Sequence, residues 1–431
     1  MNTLIKNVDI ITMDQQNSKY TKGCIAIEGQ KIAWVGEEVG LPDSFHADEI
    51  IDGEGKLALP GFINTHTHVA MTLFRGYGND LPLWEWLTEK IWPLEEKLED
   101  MDAYWLSLLG IAEMLMGGVT TFSDMYMHME YVARAVEEAG IRAVLSRGLQ
   151  GWHETSHIGL KENRDLYEKW HGQADGRIRV MVGPHAVYTC EPDFLKECKK
   201  LADELGVGLH IHLSETRKEV EDCKKEYGKS PVEHLNDLGL LDGHVLAAHC
   251  VHLSPEDMDI MKQKDVKVAH CPISNLKLGS GIAPTDELLE RGVCVSLGTD
   301  GVSSNNNLSM IKEMSFAALL RKGVKEDPTL IPAHTALKMA TYFGAKALAW
   351  EDQIGSLEVG KQADIVLIDI TKPNYQPKLD MESHLVYSAH TGDVDSVWVA
   401  GKQLVKDKRL LTIDLERVYN EVEKIQARIM Y

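Results

Sequence analysis

The sequence has no apolar run near the ~20 residues that a bilayer-spanning helix needs, so no membrane span is expected. It is short of positive charge: 45 Lys and Arg against 66 Asp and Glu give a formal charge of −21. Such a chain has no basic excess for a phosphate backbone or an anionic membrane surface, which argues against nucleic acid and membrane as partners. Cys-x-x-Cys pairs are missing. The seven cysteines (Cys24, Cys190, Cys198, Cys223, Cys250, Cys271 and Cys294) are odd in number and scattered, so neither a disulfide framework nor a thiolate zinc site is expected. Met1 to Ile11 carry one lysine and no long apolar core, unlike a secretory leader, and a cytoplasmic location is the expectation. Repeats and low-complexity tracts are absent too. Gly228-Lys229-Ser230 ends like a phosphate loop, but Cys223 stands where its first glycine belongs. What is there is a 431-residue chain, 44% hydrophobic, large enough for a sizeable core and suited to a small neutral or cationic molecule.

Two kinds of strand grammar divide the chain. Leu4-Ile5, Val8 to Ile11, Cys24 to Ile27 and Lys31 to Val35 are short strands between Asn, Asp and Gly turns, with Glu28-Gly29-Gln30 as a hairpin link. The same grammar returns at Ala363 to Ile368 and Val394 to Val399. The two ends, 1–57 and 360–431, are therefore expected to pair into one small β-sandwich. Between them, 58–359 alternates apolar strands with helical stretches such as Tyr104 to Met116 and Pro192 to Leu205. Candidate strands begin at Leu59, Val119, Ala143, Ile178, Val207, Val245, Val266 and Val293. This alternation predicts an α/β fold, a closed (β/α)8 barrel with its site at the C-terminal strand ends. Leu415 to Ile429 has the apolar spacing of a packing helix, and it or the sandwich offers a contact for a homo-oligomer.

The strand ends carry the chemistry. The first runs through Leu59-Pro60-Gly61-Phe62-Ile63-Asn64-Thr65 to His66-Thr67-His68, and alternation puts both imidazoles on one side, where they can share a metal. The fifth ends His210-Ile211-His212-Leu213-Ser214-Glu215, the sixth in His249, the seventh in His270 and the eighth in Asp300. Polar groups at five C-terminal strand ends would face one small space. His212, nearer the end, is the expected ligand, with His210 a layer below. Asp300 is a ligand or a base. Cys250 and Cys271 alternate to the other face and read as core thiols.

Pro60 to His68, His212 with Glu215, His249 and Asp300 together resemble the amidohydrolase superfamily. That resemblance covers nearly the whole chain and implies a distorted (β/α)8 barrel flanked by a β-sandwich. Many binuclear members place a carboxylated lysine at the end of the fourth strand. Here Ile178 to His185 offers His185 and no lysine, so the site is similar to the mononuclear deaminases. Carried over by position, His66, His68, His212 and Asp300 hold one divalent ion, zinc first, with iron or manganese as alternatives. The ion lowers the pKa of a bound water. Asp300 takes the water's proton, Glu215 protonates a ring nitrogen, and His249 holds or polarises the water.

Trp84-Glu85-Trp86-Leu87-Thr88-Glu89-Lys90-Ile91-Trp92-Pro93-Leu94-Glu95 resembles the 5'-methylthioadenosine/S-adenosylhomocysteine deaminases. The resemblance implies a small-molecule nucleoside partner. It places Glu95 on the ribose hydroxyls, His185 on the purine and Arg147 on the substrate tail. A second tail arginine of some relatives is missing from His157-Ile158-Gly159-Leu160-Lys161, which favours methylthioadenosine unless Lys161 or His157 substitutes. The ring-rich stretch Phe74, Tyr77, Trp84, Trp86 and Trp92 offers stacking, with Trp86 the chosen contact, against a plain amphipathic helix over Leu83 to Leu98. Ser303 is a further candidate contact, beside Ser304. The alternative reactions are deamination of guanine, cytosine, adenosine or an aminotriazine. A non-catalytic scaffold is the alternative from another class.

Overall fold

The computed structural model describes residues 2–151 and 156–431; Met1, at the head of the expected 1–57 stretch, lies outside them. Eight parallel strands form the barrel sheet: Phe62–Thr67, Val119–Tyr126, Arg142–Leu149, Ile178–Pro184, Leu209–Leu213, Val245–His249, Lys267–His270 and Cys294–Leu297. Each pairs in parallel with the next. The last strand meets the first through side chains. Thr299 N–H donates to Asn64 Oδ1 at 2.9 Å, Asn64 Nδ2 to Thr299 Oγ1 at 2.7 Å, and Thr65 Oγ1 to Leu297 O at 2.9 Å. Asp300 N–H then reaches His66 O at 2.9 Å, which seats the aspartate beside the first strand's end. The barrel is nearly closed and distorted.

The first barrel strand starts at Phe62, not at Leu59. The apolar run breaks at Gly61: a Cβ there would lie 2.1 Å from Thr120 Cγ2, so only glycine passes. Upstream, Lys56–Pro60 pairs antiparallel with Ile365–Asp369. That pairing joins the two chain ends into one nine-stranded mixed sheet, with Asn2–Ile11, Lys19–Glu28, Lys31–Gly36 and Glu49–Asp52 from one end and Val394–Val399, Lys402–Lys406 and Arg409–Leu410 from the other. The sheet curls over its own core of Ile5, Ile25, Ile27, Ile365, Leu367 and Trp398. Its far edge returns to bridge Lys31 to Gln362. A buried bidentate pair ties sheet to barrel: Arg142 Nε and Nη2 donate to Asp364 at 3.0 and 3.1 Å.

The helices follow the apolar spacing. Pro192–Leu205 begins with proline at its first turn, where a missing N–H costs nothing. Asp100–Met116 starts one turn before the expected Tyr104, because Asp102 accepts the Glu99 N–H at 2.7 Å and caps the end. Leu415–Met430 lies against that helix, with Arg428 reaching Glu99 and Asp102. Among the described residues no helix is long and apolar enough to cross a membrane.

Candidate active site

The strand ends bring four candidate ligand atoms together. Asp300 Oδ1 lies 3.4 Å from His66 Nε2 and 3.2 Å from His68 Nε2, and His212 Nε2 lies 3.4 Å from His68 Nε2. Each ring is held by its other nitrogen: His68 Nδ1 on Met125 O at 2.5 Å, His212 Nδ1 on His185 O at 2.7 Å, and His66 Nδ1 on His210 Nε2 at 2.9 Å. With Nδ1–H donating, each Nε2 keeps its lone pair for a cation. His210 thus sits one layer below, as alternation predicts. Asp300 Oδ2 accepts from Ser274 Oγ at 2.6 Å and Ser304 Oγ at 2.8 Å, so Oδ1 alone faces the histidines.

The electrostatics ask for a positive charge. Burial works against charge on the His68 ring, yet Asp300 outweighs it and pushes the ring up to about 9. Burial drives His66 down to about 4 against the pull of Asp300, and its buried Nε2 has no hydrogen-bond partner. Burial also opposes the Asp300 carboxylate, but the two histidines hold it well below the usual range. A buried nitrogen lone pair without a donor, two neighbouring imidazoles and one carboxylate oxygen fit a divalent cation. His249 lies close enough to form a second possible group with His66 and His212.

Glu215 and His249 stand beside this cluster. Glu215 Oε2 is 3.7 Å from His249 Nε2, and its Oε1 accepts from Ser280 Oγ at 3.1 Å. Burial raises the proton affinity of Glu215, with His249 pulling the other way. His249 Nδ1 is fixed on Asn275 Oδ1 at 2.8 Å. Glu219 accepts the Ser214 and Glu215 N–H groups at 2.8 and 2.7 Å and so fixes the turn that carries Glu215; burial pushes Glu219 up to about 7.

A cavity of about 500 Å³ opens over the cluster. It reaches His68, His212, Asp300, Glu215 and His249 on its floor, and Trp86, Glu95, Arg147 and His185 on its walls. That size suits a nucleoside-sized ligand. His185 is half-buried and held at 2.9 Å from Thr189 Oγ1; desolvation drives it down to about 3, so the ring is neutral. Arg147, at the third strand's end, pairs with Glu162 at 2.7 Å. Lys161 pairs with Asp165 on the surface, and neither it nor His157 is among the described cavity residues. Glu95 is buried and accepts from Tyr126 Oη at 2.6 Å.

The cover over the cavity is helical but not regular. Leu83–Glu85 runs into a π-helical turn, Trp86–Ile91, before Trp92–Glu95. Pro93 has no N–H to donate, and Trp92 N–H reaches back five residues to Leu87 O. The widened turn sets Trp86, Ile91, Trp92 and Glu95 on the cavity. Phe74 is core. Ser303 is buried and is not among the cavity residues; its neighbour Ser304 holds Asp300 instead. His270 is also buried away from the cavity, with Nδ1 unpartnered. All seven cysteines are free and buried, Cys250 and Cys271 among them.

Sequence reasoning missed Asn275, Ser274, Ser280, Glu219 and Tyr126. Only Tyr126 left a usable signal, since the second strand also carries polar groups near its end, Asp124 and Tyr126.

Residues 57–404 match the Amidohydrolase family. A curated 5-methylthioadenosine/S-adenosylhomocysteine deaminase of Caldanaerobacter subterraneus subsp. tengcongensis is 51% identical over 427 residues, covering 98% of each chain. A deaminase of the same name from Moorella thermoacetica is 53% identical over 94% of each. Among solved structures, an adenosine deaminase from Xanthomonas campestris with bound zinc superposes with a TM-score of 0.95 at 33% identity, covering 99% of this chain and 98% of that one.

Proposed function

We propose that this chain, which belongs to the amidohydrolase family, hydrolytically deaminates 5'-methylthioadenosine and S-adenosylhomocysteine to the inosyl products and ammonia. The observation that carries the reading is one cavity with the cation cluster and Glu215 on its floor and a buried carboxylate, Glu95, on its wall. That pairing suits a nucleoside, with the ring on the floor and the sugar on the wall. The relatives' names supply the 5'-thioether.

His66, His68, His212 and Asp300 would hold one divalent ion, for which zinc is proposed, and that ion supplies an acidified water as the nucleophile. Asp300 Oδ1 accepts the water's proton. Glu215, whose proton affinity burial raises, donates to the ring nitrogen next to the amino-bearing carbon. His249, fixed by Asn275, orients the water. Neutral His185 hydrogen-bonds the purine, Trp86 packs on the ligand, Glu95 accepts from the two ribose hydroxyls, and Arg147 faces the 5' tail. Because Glu162 offsets part of the Arg147 charge, the tail site favours methylthioadenosine over the charged homocysteine tail.

The test is an ultraviolet assay with zinc-loaded protein and methylthioadenosine, S-adenosylhomocysteine or adenosine. Adenine-to-hypoxanthine conversion is expected with the thioethers ahead of adenosine. No turnover of any of the three by metal-loaded protein would overturn the reading.

A further inference from the structure

Resting on the function proposed above, we infer that Tyr126 is a positioning residue for the sugar: its hydroxyl aims Glu95 at the ribose diol and thereby sets the preference for ribosides. Three observations carry this. First, Glu95 is buried on the cover, and the Tyr126 hydroxyl at 2.6 Å is its one hydrogen-bond donor among the described residues. One carboxylate oxygen is committed, and the other is left for hydroxyl donors in the cavity that both residues line. Second, Tyr126 belongs to a barrel strand, whereas Glu95 closes a short helical segment, begun by Trp92 and Pro93, that follows a π-helical turn. The hydrogen bond ties an irregular cover to a rigid strand. Third, the preceding residue, Met125, presents the carbonyl that orients His68. Two successive residues of one strand therefore fix both the reacting end and the sugar end of the cavity. The strand acts as a ruler between them.

A buried carboxylate without its donor turns away or takes up a proton, and either event removes the acceptor for the diol. The test uses zinc-loaded Tyr126→Phe, with adenosine and 2',3'-dideoxyadenosine compared for kcat and KM and the fold checked by thermal melting. Expected is an about tenfold rise in KM for adenosine, as for loss of a hydrogen bond to a charged group, with kcat nearly unchanged. Dideoxyadenosine, which has no diol, should respond little. In a Glu95→Ala background the Tyr126 change should add nothing. Equal losses on both nucleosides, or additive effects in the double variant, would make Tyr126 a structural residue and overturn the inference. An unchanged adenosine KM would overturn it too. A wild-type protein inactive on every riboside would instead sink the functional reading, and this one with it.

Discussion

Glu215→Gln removes an ionisable proton and almost no volume. Gln keeps an oxygen for the Ser280 hydroxyl, now 3.1 Å from Oε1, and leaves the 3.7 Å approach to His249 in place. Substrate binding and metal content should therefore be unchanged. What disappears is a group that gives a proton to the ring and takes one back. General acid-base catalysis is worth roughly 10² to 10⁴ in rate, so kcat should fall by that factor, about 2.7–5.4 kcal/mol of barrier. KM should stay within about threefold, since the interaction is made at the transition state. The pH profile gives a second readout. Burial raises the Glu215 proton affinity, so in the wild type the acid form persists above the usual carboxylate range, and the rate falls as pH rises through that raised value. The variant should lack that limb. The assay is the change in adenine absorbance on methylthioadenosine, with zinc per chain measured on the same samples. A fully zinc-loaded variant that keeps near wild-type kcat would refute the assignment. A loss that tracks missing zinc would make Glu215 a structural residue.

Metal binding should release about one proton near neutral pH, because His68 is pushed up to about 9 in the metal-free chain. The sign follows: the His68 contribution to metal-free stability is full below its unfolded value of about 6.5 and is lost as pH rises through about 9, while zinc affinity climbs about tenfold per pH unit across that window. Calorimetry in buffers of different ionisation heat checks this, and a pH-independent affinity would contradict it. Asp364→Ala should cost about 3–5 kcal/mol in urea unfolding, since it strands the buried Arg142 guanidinium. It also strips Ala400 N–H of its acceptor, at 2.7 Å. A loss below about 1 kcal/mol would mean that water reaches the arginine.

The barrel and its histidines were legible because both rest on short-range rules. Alternation along a strand fixes which side chains share a face, and barrel polarity fixes which end matters. His66, His68 and His212 follow from those rules alone. The start of the first strand did not, because Gly61 splits a continuous apolar run between two sheets, and the split is set by Thr120 on the neighbouring strand. Asn275 and Ser274 orient His249 and Asp300 from a different element, 26 residues away in each case, and nothing local marks them. Glu162 cancels part of Arg147 across 15 residues for the same reason. The cover reads as an amphipathic helix, and only the missing Pro93 N–H hints at its wider turn.

Glu215 is the instructive case. Alternation from His212 puts Leu213 on the outer face, Ser214 inward and Glu215 outward, so an extended strand would hide the proposed acid in the barrel wall. Ser214 instead takes a left-handed backbone, φ 50°, and turns the chain so that Glu215 returns to the cavity. Left-handed residues recur at other strand ends of the site: His249 at φ 72°, Cys250 at 50° and Asp300 at 61°. For residues with a Cβ each costs about 1–3 kcal/mol. Local bonds offset the strain. Glu219 takes the Ser214 and Glu215 N–H groups. Val251 and His252 N–H donate to Ser214 O at 3.0 and 2.9 Å, locking the fifth strand end to the sixth. Asp300 N–H donates to His66 O, locking the eighth to the first. The same turns that break the strand pattern thus crosslink neighbouring strand ends, which supports the cavity floor where the proposed proton transfers would take place.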